Sequence, residues 1–301
     1  MQFRLLALMG VIAFGTVGAV EVTSLYTAQV PLDQEQQDPQ AFAHKTALAQ
    51  VLLKISGSAV VDDEALFDAL FPNPSAWVVQ LRPGPDETLF VSFDGKALEE
   101  TLKNAGQSVW GSDRPLTLVW LAVDWGQGER EIIGASDAER NPDEQRSINR
   151  NKLLRERMLT FADSRGLPVA FPLLDSEDMG NVTFSDIWGG FDERVLEASE
   201  RYDVRSVLIG RVRAAGGQPS RWSWHFAGEQ RNWAGEPEVI IEQVTDMLAA
   251  EFAIGGDEPL RRVDLHVSGV NSVTAYGAVN NMLGKLNVVD QFSVTGVEGD
   301  R

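Results

Sequence analysis

Residues 167–213 read LPVAFPLLDSEDMGNVTFSDIWGGFDERVLEASERYDVRSVLIGRVR, and no other stretch restricts the fold as strongly. An apolar run, Leu167 to Leu174, stops at Asp175. Helical spacing follows from about Asp192 to Tyr202, and Val204 to Val212 then alternates as a strand. Strand, helix, strand is the unit of an α/β layer, because each strand exposes an apolar face that a helix has to cover. No catalytic or cofactor motif lies on it.

The flanking sequence extends this unit to β-α-β-α-β-β-α over residues 111–256, a three-layer sandwich on a mixed sheet. LTLVWLAVD, ending at Asp124, is an apolar run of strand length and reads as a central strand buried on both faces. WGQGEREIIGASDAERNPDEQ, starting at Trp125, is polar and reads as a long exposed connection. Its Gly126-Gln127-Gly128 lacks the third glycine of a dinucleotide loop. Ile148 to Arg165 has helical spacing with Leu153, Leu154, Met158 and Phe161 inward, and stops at Gly166. Ser206–Val212 and Arg221–Phe226 form a hairpin turning at Gly216-Gly217, with Trp222 and Trp224 on its core face. The last helix of this unit turns Val239, Ile240, Val244, Met247, Leu248 and Phe252 inward.

Two smaller units flank it. Residues 20–110 form an α+β domain: a strand over 21–30, a helix ending at Gly57, a short helix capped by Asp62 or Asp63, strands at 77–81 and 88–93, and a helix capped by Asp94. Beyond the linker Gly255–Pro259, residues 257–301 read as a β-α-β unit: RRVDLHVSGV, a helix from Ser272 to Leu286, then NVVDQFSVTGV. That unit buries its sheet only by docking on the middle one, or by continuing past Arg301.

Residues 1–19 join one positive charge (Arg4), an apolar core from Leu5 to Phe14, and Val17 and Ala19 at the small positions of a cleavage site. This is the pattern of a secretory signal peptide, and the apolar run is shorter than the roughly 20 residues that span a bilayer. The chain has no cysteine, which excludes thiol nucleophiles, thiolate metal sites and disulfides, and with a leader it suits a bacterial periplasm. The net charge of −18 becomes −19 without Arg4 and opposes binding to nucleic acid or anionic lipid. No stable membrane insertion is expected after cleavage, and no cofactor or metal ligand set is expected.

Five residues stand out as candidate surface residues. Asp175, Asp178 and Asp186 follow the end of an apolar strand, where ligands of open α/β sheets gather, and Asp124 ends the central strand in a similar position. Together they raise a cation site or a carboxylate dyad for hydrolysis; against this stand plain helix capping and the lack of any calcium-loop spacing. Trp188, followed by Gly189-Gly190, is either a partner-binding anchor or a lid packed on Phe184, Ile187 and Phe191. The histidines at 44, 225 and 266 fall in separate units, so no Ser-His-Asp arrangement can be read.

RPLTLVWLAVD, RGLPVAFPLLDSED, DIWGGF, EASERYDVRSVLIGRV, the SWHF strand and VDLHVSGVNSVTAYGAVNNML together resemble the bacterial family called domain of unknown function 2066, and ALAQVLLKISGS resembles its amino-terminal part. The resemblance implies an exported protein of Gram-negative bacteria without assigned activity, cofactor or catalytic residues, in a family whose members extend beyond the position of Arg301. More distantly, the middle unit is similar in fold to α/β domains of periplasmic assembly proteins, such as the amino-terminal domain of the Tol translocation protein and activators of penicillin-binding proteins. The expected function is therefore a non-catalytic envelope accessory protein that binds another envelope protein. The alternatives are a cation-dependent hydrolase using Asp124, Asp175 and Asp178, or a small-ligand carrier with a cleft between domains.

Overall fold

Asp38, Asp63 and Asp94 each stop a turn by capping the helix that follows, so acidic side chains punctuate the amino-terminal part of the chain. Their carboxylates accept from the backbone N–H of Ala41 (2.9 Å), Leu66 (3.0 Å) and Ala97 (3.1 Å). The computed structural model describes residues 19–136, 145–214, 217–255, 262–270, 272–285 and 292–296. The signal-peptide pattern over residues 1–18 and the linker positions 256–259 lie outside the described residues.

The first part contains β1 (Ala19–Glu21), β2 (Thr27–Pro31), α1 (Pro39–Ser56), α2 (Ala59–Asp62), α3 (Glu64–Leu70), a 3-10 turn (Pro74–Trp77), β3 (Val78–Pro83), β4 (Thr88–Phe93) and α4 (Gly95–Asn104). The one strand expected over 21–30 is two, because residues 23–26 turn and send the halves to different sheets. β2, β4 and β3 form an antiparallel sheet in that order, whereas β1 pairs with β5 (Asp113–Pro115). α1 covers the sheet with Leu48, Val51, Leu52 and Ile55, all fully buried.

His44 lies on the buried side of α1, 8% exposed, with neither ring nitrogen hydrogen-bonded. Burial pulls its pKa below the usual 6.5, against the opposing pull of Asp38. The folded state thus prefers neutral imidazole while the unfolded chain titrates normally. Its contribution to stability is complete above about pH 6.5 and is lost as pH falls through the lower folded pKa. Urea midpoints measured between about pH 7.5 and pH 5 should fall, and His44→Leu should flatten that decline; an unchanged slope in the variant would assign the decline to other groups.

The second part is a mixed six-stranded sheet between two helical layers. Its elements are β6 (Thr117–Gly126), β7 (Glu129–Ile133), α5 (Gln145–Ser164), β8 (Val169–Ala170), α6 (Ser176–Asn181), α7 (Phe184–Gly189), α8 (Asp192–Ser199), β9 (Ser206–Arg213), β10 (Arg221–Phe226), β11 (Glu229–Ala234) and α9 (Pro237–Phe252). The order is β11-β10-β9-β6-β7, with the short β8 also on β6; β6 runs parallel to β8 and β9, and the other pairings are antiparallel. β6 is central and buried on both faces: Val119, Leu121 and Val123 meet α5 and α9, while Leu118, Trp120 and Ala122 meet Val182, α7 and α8. Gly210 on β9 admits Trp222, since a Cβ there would lie 2.4 Å from the indole.

Several expectations change. The polar stretch after Asp124 opens with a hairpin, because Gly126-Gln127-Gly128 turn with positive φ and lead into β7; its positions 137–144 lie outside the described residues. A two-residue turn at Ala227-Gly228 likewise starts β11. The run from Leu167 yields only a two-residue strand, since Pro168 and Pro172 have no N–H to give a ladder. Leu153, Val239 and Phe252 are exposed, whereas Ile241 and Thr245 fill the interior. Among the described residues the expected strands after 257 are absent: 262–270 and 292–296 carry no secondary structure around α10 (Val273–Lys285). Alternation supplies an apolar face, but a strand also needs a neighbour for its N–H and C=O groups.

Between the two parts lies Arg114, fully buried. Its guanidinium donates to the carbonyls of Trp110 (2.6 Å), Gly111 (2.9 Å), Lys54 (2.8 Å) and Gly166 (2.8 Å), and it lies 4.0 Å over the Trp110 ring. It thereby ties the end of α1, the entry to β5 and the end of α5. Lys54 adds a 3.3 Å ion pair to Asp163, and Val109 bridges Ile254.

Candidate functional site

The five candidate residues fall into two groups with different partners. The first group forms at the carboxyl end of β6. Sheet register sets Asp124 beside Arg213 on β9 and Arg130 on β7. Asp124 accepts from the Gly126 N–H (3.0 Å) and from Arg130 Nε (3.2 Å). These bonds, the Gly126 one foremost, hold its carboxyl below the usual range, with help from the charge of Arg213.

The same two arginines cover an aromatic pair. Arg130 lies 5.8 Å over Phe184, and Arg213 lies 5.4 Å over Trp188. Phe184 and Trp188 stack with centroids 5.1 Å apart. Asp124, Arg130, Phe184, Trp188 and Arg213 thus form one cluster: Arg130 joins the Asp124 carboxylate to the Phe184 ring, and Arg213, whose charge also reaches Asp124, lies over Trp188. α7 is fixed beneath it by a capping box: Asp186 accepts from the Thr183 N–H (2.9 Å) and hydroxyl (2.6 Å), and Thr183 accepts from the Asp186 N–H (3.3 Å). Arg194 pairs with Asp186 at 3.2 Å; the Thr183 hydroxyl is the main reason this carboxyl is held below its usual range.

Trp188 is half-buried against the core, as the lid account has it, but Phe191 is 60% exposed and does not share that packing. Gly190 ends α7 with φ of +80°, in the left-handed region that favours glycine. A Cβ on Gly189 would lie 2.6 Å from the Phe191 ring. The two glycines therefore let the chain turn into α8 and lay Phe191 across the turn.

The second group is Asp175 and Asp178. Asp175 caps α6 through the N–H of Glu177 (3.1 Å) and Asp178 (3.0 Å), and takes a two-pronged bond from Arg201 (2.8 and 2.9 Å). Arg201, first, and these caps drive its carboxyl well below the usual range. Asp178 is fully buried and accepts from the Leu174 N–H (2.8 Å), the Tyr202 hydroxyl (2.5 Å) and Arg201 (3.0 Å). Burial, then the bond to Asp178, pushes the Tyr202 phenol up to about 12. Leu174 takes a φ of +54° at this knot.

These partners decide what the carboxylates can do. Asp124 and Asp175 share no hydrogen-bond partner, and the oxygens of Asp175 and Asp178 accept from backbone N–H groups, from Arg201 and, at Asp178, from the Tyr202 hydroxyl. Among the described residues no three His, Cys, Asp or Glu side chains are grouped to hold a metal ion. A cluster that sequence reasoning missed joins Asp192, Arg211 and His225: His225 Nε2 lies 3.1 Å and Arg211 Nη2 2.5 Å from the Asp192 carboxylate. Ser223, two residues before His225 on β10, is buried with its hydroxyl unpartnered, so a nucleophile–base bond is not formed. Asp192 at the start of α8 gathers Arg211 from β9 and His225 from β10, which are not opposite each other in the sheet, and no local spacing marks the three.

Comparison with known proteins changes the family assignment. The matched family model is a different family from domain of unknown function 2066, and that resemblance falls with the finding. The segments that carried it lie mostly after Arg114, whereas the match lies on the first part of the chain. No curated protein and no solved structure matches this chain. Over residues 19–111, under a third of its 301 residues, the chain is similar to the family described as Domain of unknown function (DUF8605).

Proposed function

We propose that this is an exported periplasmic accessory protein without catalytic activity, which binds another envelope protein at the Trp188–Phe191 surface. The observation that carries the reading is Phe191, exposed and braced over Gly189, close in the chain to a half-buried tryptophan that stacks on Phe184 and lies under Arg213. Aromatic and arginine side chains with a rigid footing are what protein interfaces concentrate at their centres. Export rests on the leader pattern of residues 1–19 and the cysteine-free composition. No helix among the described residues is long and apolar enough to cross a membrane.

The test separates Phe191 from its neighbour. Phe191→Glu should leave the melting temperature unchanged and weaken capture of an envelope partner by about 30-fold, the effect of losing an anchor worth about 2 kcal/mol. Trp188→Ala should lower the melting temperature, since it empties a stacked and half-buried position. Undiminished capture by Phe191→Glu would remove this surface from consideration. Cell fractionation that finds the full-length chain in the cytoplasm would end the export reading.

One observation favours a small-ligand carrier as the second reading. A cleft of about 240 Å³ opens between the end of α1 and α9, lined by Lys54, Trp110, Arg165, Asp246 and Ala249 among others. Trp110 Nε1 and Arg165 Nε are buried there without an acceptor. The cleft is smaller than the roughly 300–1,000 Å³ of ordinary ligand pockets, which ranks this reading second.

A further inference from the structure

The cleft between the end of α1 and α9 has a built frame. The buried Arg114 guanidinium donates to the carbonyls of Lys54 (2.8 Å), Trp110 (2.6 Å) and Arg165 (3.5 Å), so one cation gathers three residues that line the cleft and carry N–H donors. Trp110 is 3% exposed and Arg165 6%, and Trp110 Nε1 and Arg165 Nε are both buried with no acceptor. Lys54 Nζ, on a side chain 7% exposed, meets the Thr27 carbonyl only at 3.4 Å and Asp163 at 3.3 Å, which leaves a proton over. Buried donors are seldom left unpaired, because their desolvation is then not recovered. The Ser56 and Thr245 hydroxyls are spent on their own helices, on the carbonyls of Leu52 (2.9 Å) and Ile241 (2.7 Å). Asp246 is the single carboxylate in the lining, and it is committed to Arg165 Nη2 at 2.9 Å. Around these donors Leu53, Ala249, Ala250 and Ala253 supply apolar surface.

We infer that this cleft binds a short aliphatic monocarboxylate, with its head on Trp110, Arg165 and Lys54 and its tail along the α9 alanines. The inference rests on the carrier reading and names its ligand. An ionised carboxylate only accepts and can take several donors at once, whereas an alcohol or an amine brings a further donor to a place already short of acceptors. Charge agrees, since Lys54 and Arg165 outnumber Asp246 in the lining. A second carboxylate on the ligand would have to lie against alanine, which is unfavourable for a charge. The volume agrees as well: about 240 Å³ is room for roughly eight waters, or for an acid of about the size of hexanoate. Because α1 belongs to the first part of the chain and α9 to the second, such a ligand is held by both.

Isothermal titration calorimetry of the full chain with hexanoate, hexanol, hexylamine and acetate tests this. Hexanoate should bind with a dissociation constant on the order of 100 µM, and the alcohol and the amine at least about 30-fold more weakly. Acetate keeps the head and loses the tail, at about fourfold per buried methylene, so it too should bind at least about 30-fold more weakly. Trp110→Phe keeps an aromatic ring beneath Arg114 and removes the N–H, and should weaken hexanoate about 10-fold. Ala250→Phe fills the cleft from an exposed position, so it should weaken hexanoate at least about 30-fold without moving the melting temperature. Hexanoate binding undiminished by either substitution overturns the inference, as does equal binding by acetate. An alcohol or amine that binds as tightly as hexanoate, and is lost in Ala250→Phe, overturns the acid but leaves the carrier reading standing. No binding by any probe up to about 10 mM overturns both.

Discussion

Arg114→Met should lower the stability of the protein by about 3–5 kcal/mol, the cost of breaking a buried hydrogen-bonded ionic group. Arg114 is fully buried, and burial pulls its pKa down to about 9, so the charge is costly to keep and is held by carbonyl dipoles. Methionine fills much of the volume but leaves the carbonyls of Trp110, Gly111, Lys54 and Gly166 without this donor. Arg114→Lys should recover only part of the loss, because an ammonium cannot address four carbonyls spread around a planar fork. These carbonyls belong to the end of α1, the 110–111 segment and the end of α5, so urea unfolding should also lose cooperativity. A variant within about 1 kcal/mol of wild type, unfolding in one sharp transition, would show that Arg114 does not join the two parts.

The second large effect is expected at Asp178. Asp178→Ala should cost about 2–4 kcal/mol, because it strands the Leu174 N–H and the Tyr202 hydroxyl and removes one of the Arg201 contacts. For a protein of this size that is a drop in melting temperature on the order of 10 °C. Asp178→Asn should cost less, since the amide oxygen can still accept from one of them. If Asp178 instead served a hydrolytic reaction, its removal would leave stability nearly unchanged, which thermal unfolding would reveal at once.

Neither residue announces this in the sequence. Arg114 stands before an apolar strand, where an arginine ordinarily reaches solvent, and its acceptors are backbone carbonyls from three places in the chain. Asp178 is readable as a helix-turn carboxylate, but Arg201 and Tyr202, which hold it, come from the 3-10 turn after α8, two helices further on. Elements with strong local cues are legible: α1 up to its stop at Gly57, α4 after Asp94, and β6 from its unbroken apolar run. β7 and β11 are not, because EREII and EQRNWA are edge strands whose charged side chains mask the period of two. The opposite error occurred at 262–270, where clean alternation has no neighbouring strand to make it a ladder. Of the candidate site, position in sequence found Trp188 but passed over Phe191, whose exposure depends on the close approach of Gly189.

The parallel pairing of β6 with β9 has a consequence for timing. Thr117 and Ser206, whose hydroxyls meet at 2.9 Å, are 89 residues apart in the chain, and no hairpin can bring them together. Two-thirds of the polypeptide must therefore be present before the centre of the large sheet can nucleate. Long-range parallel contacts of this kind slow folding to milliseconds or longer, because loop closure is unfavourable until the pairing is complete. A newly made chain stays threadable during that interval, the state that the proposed export would need before the largest core closes.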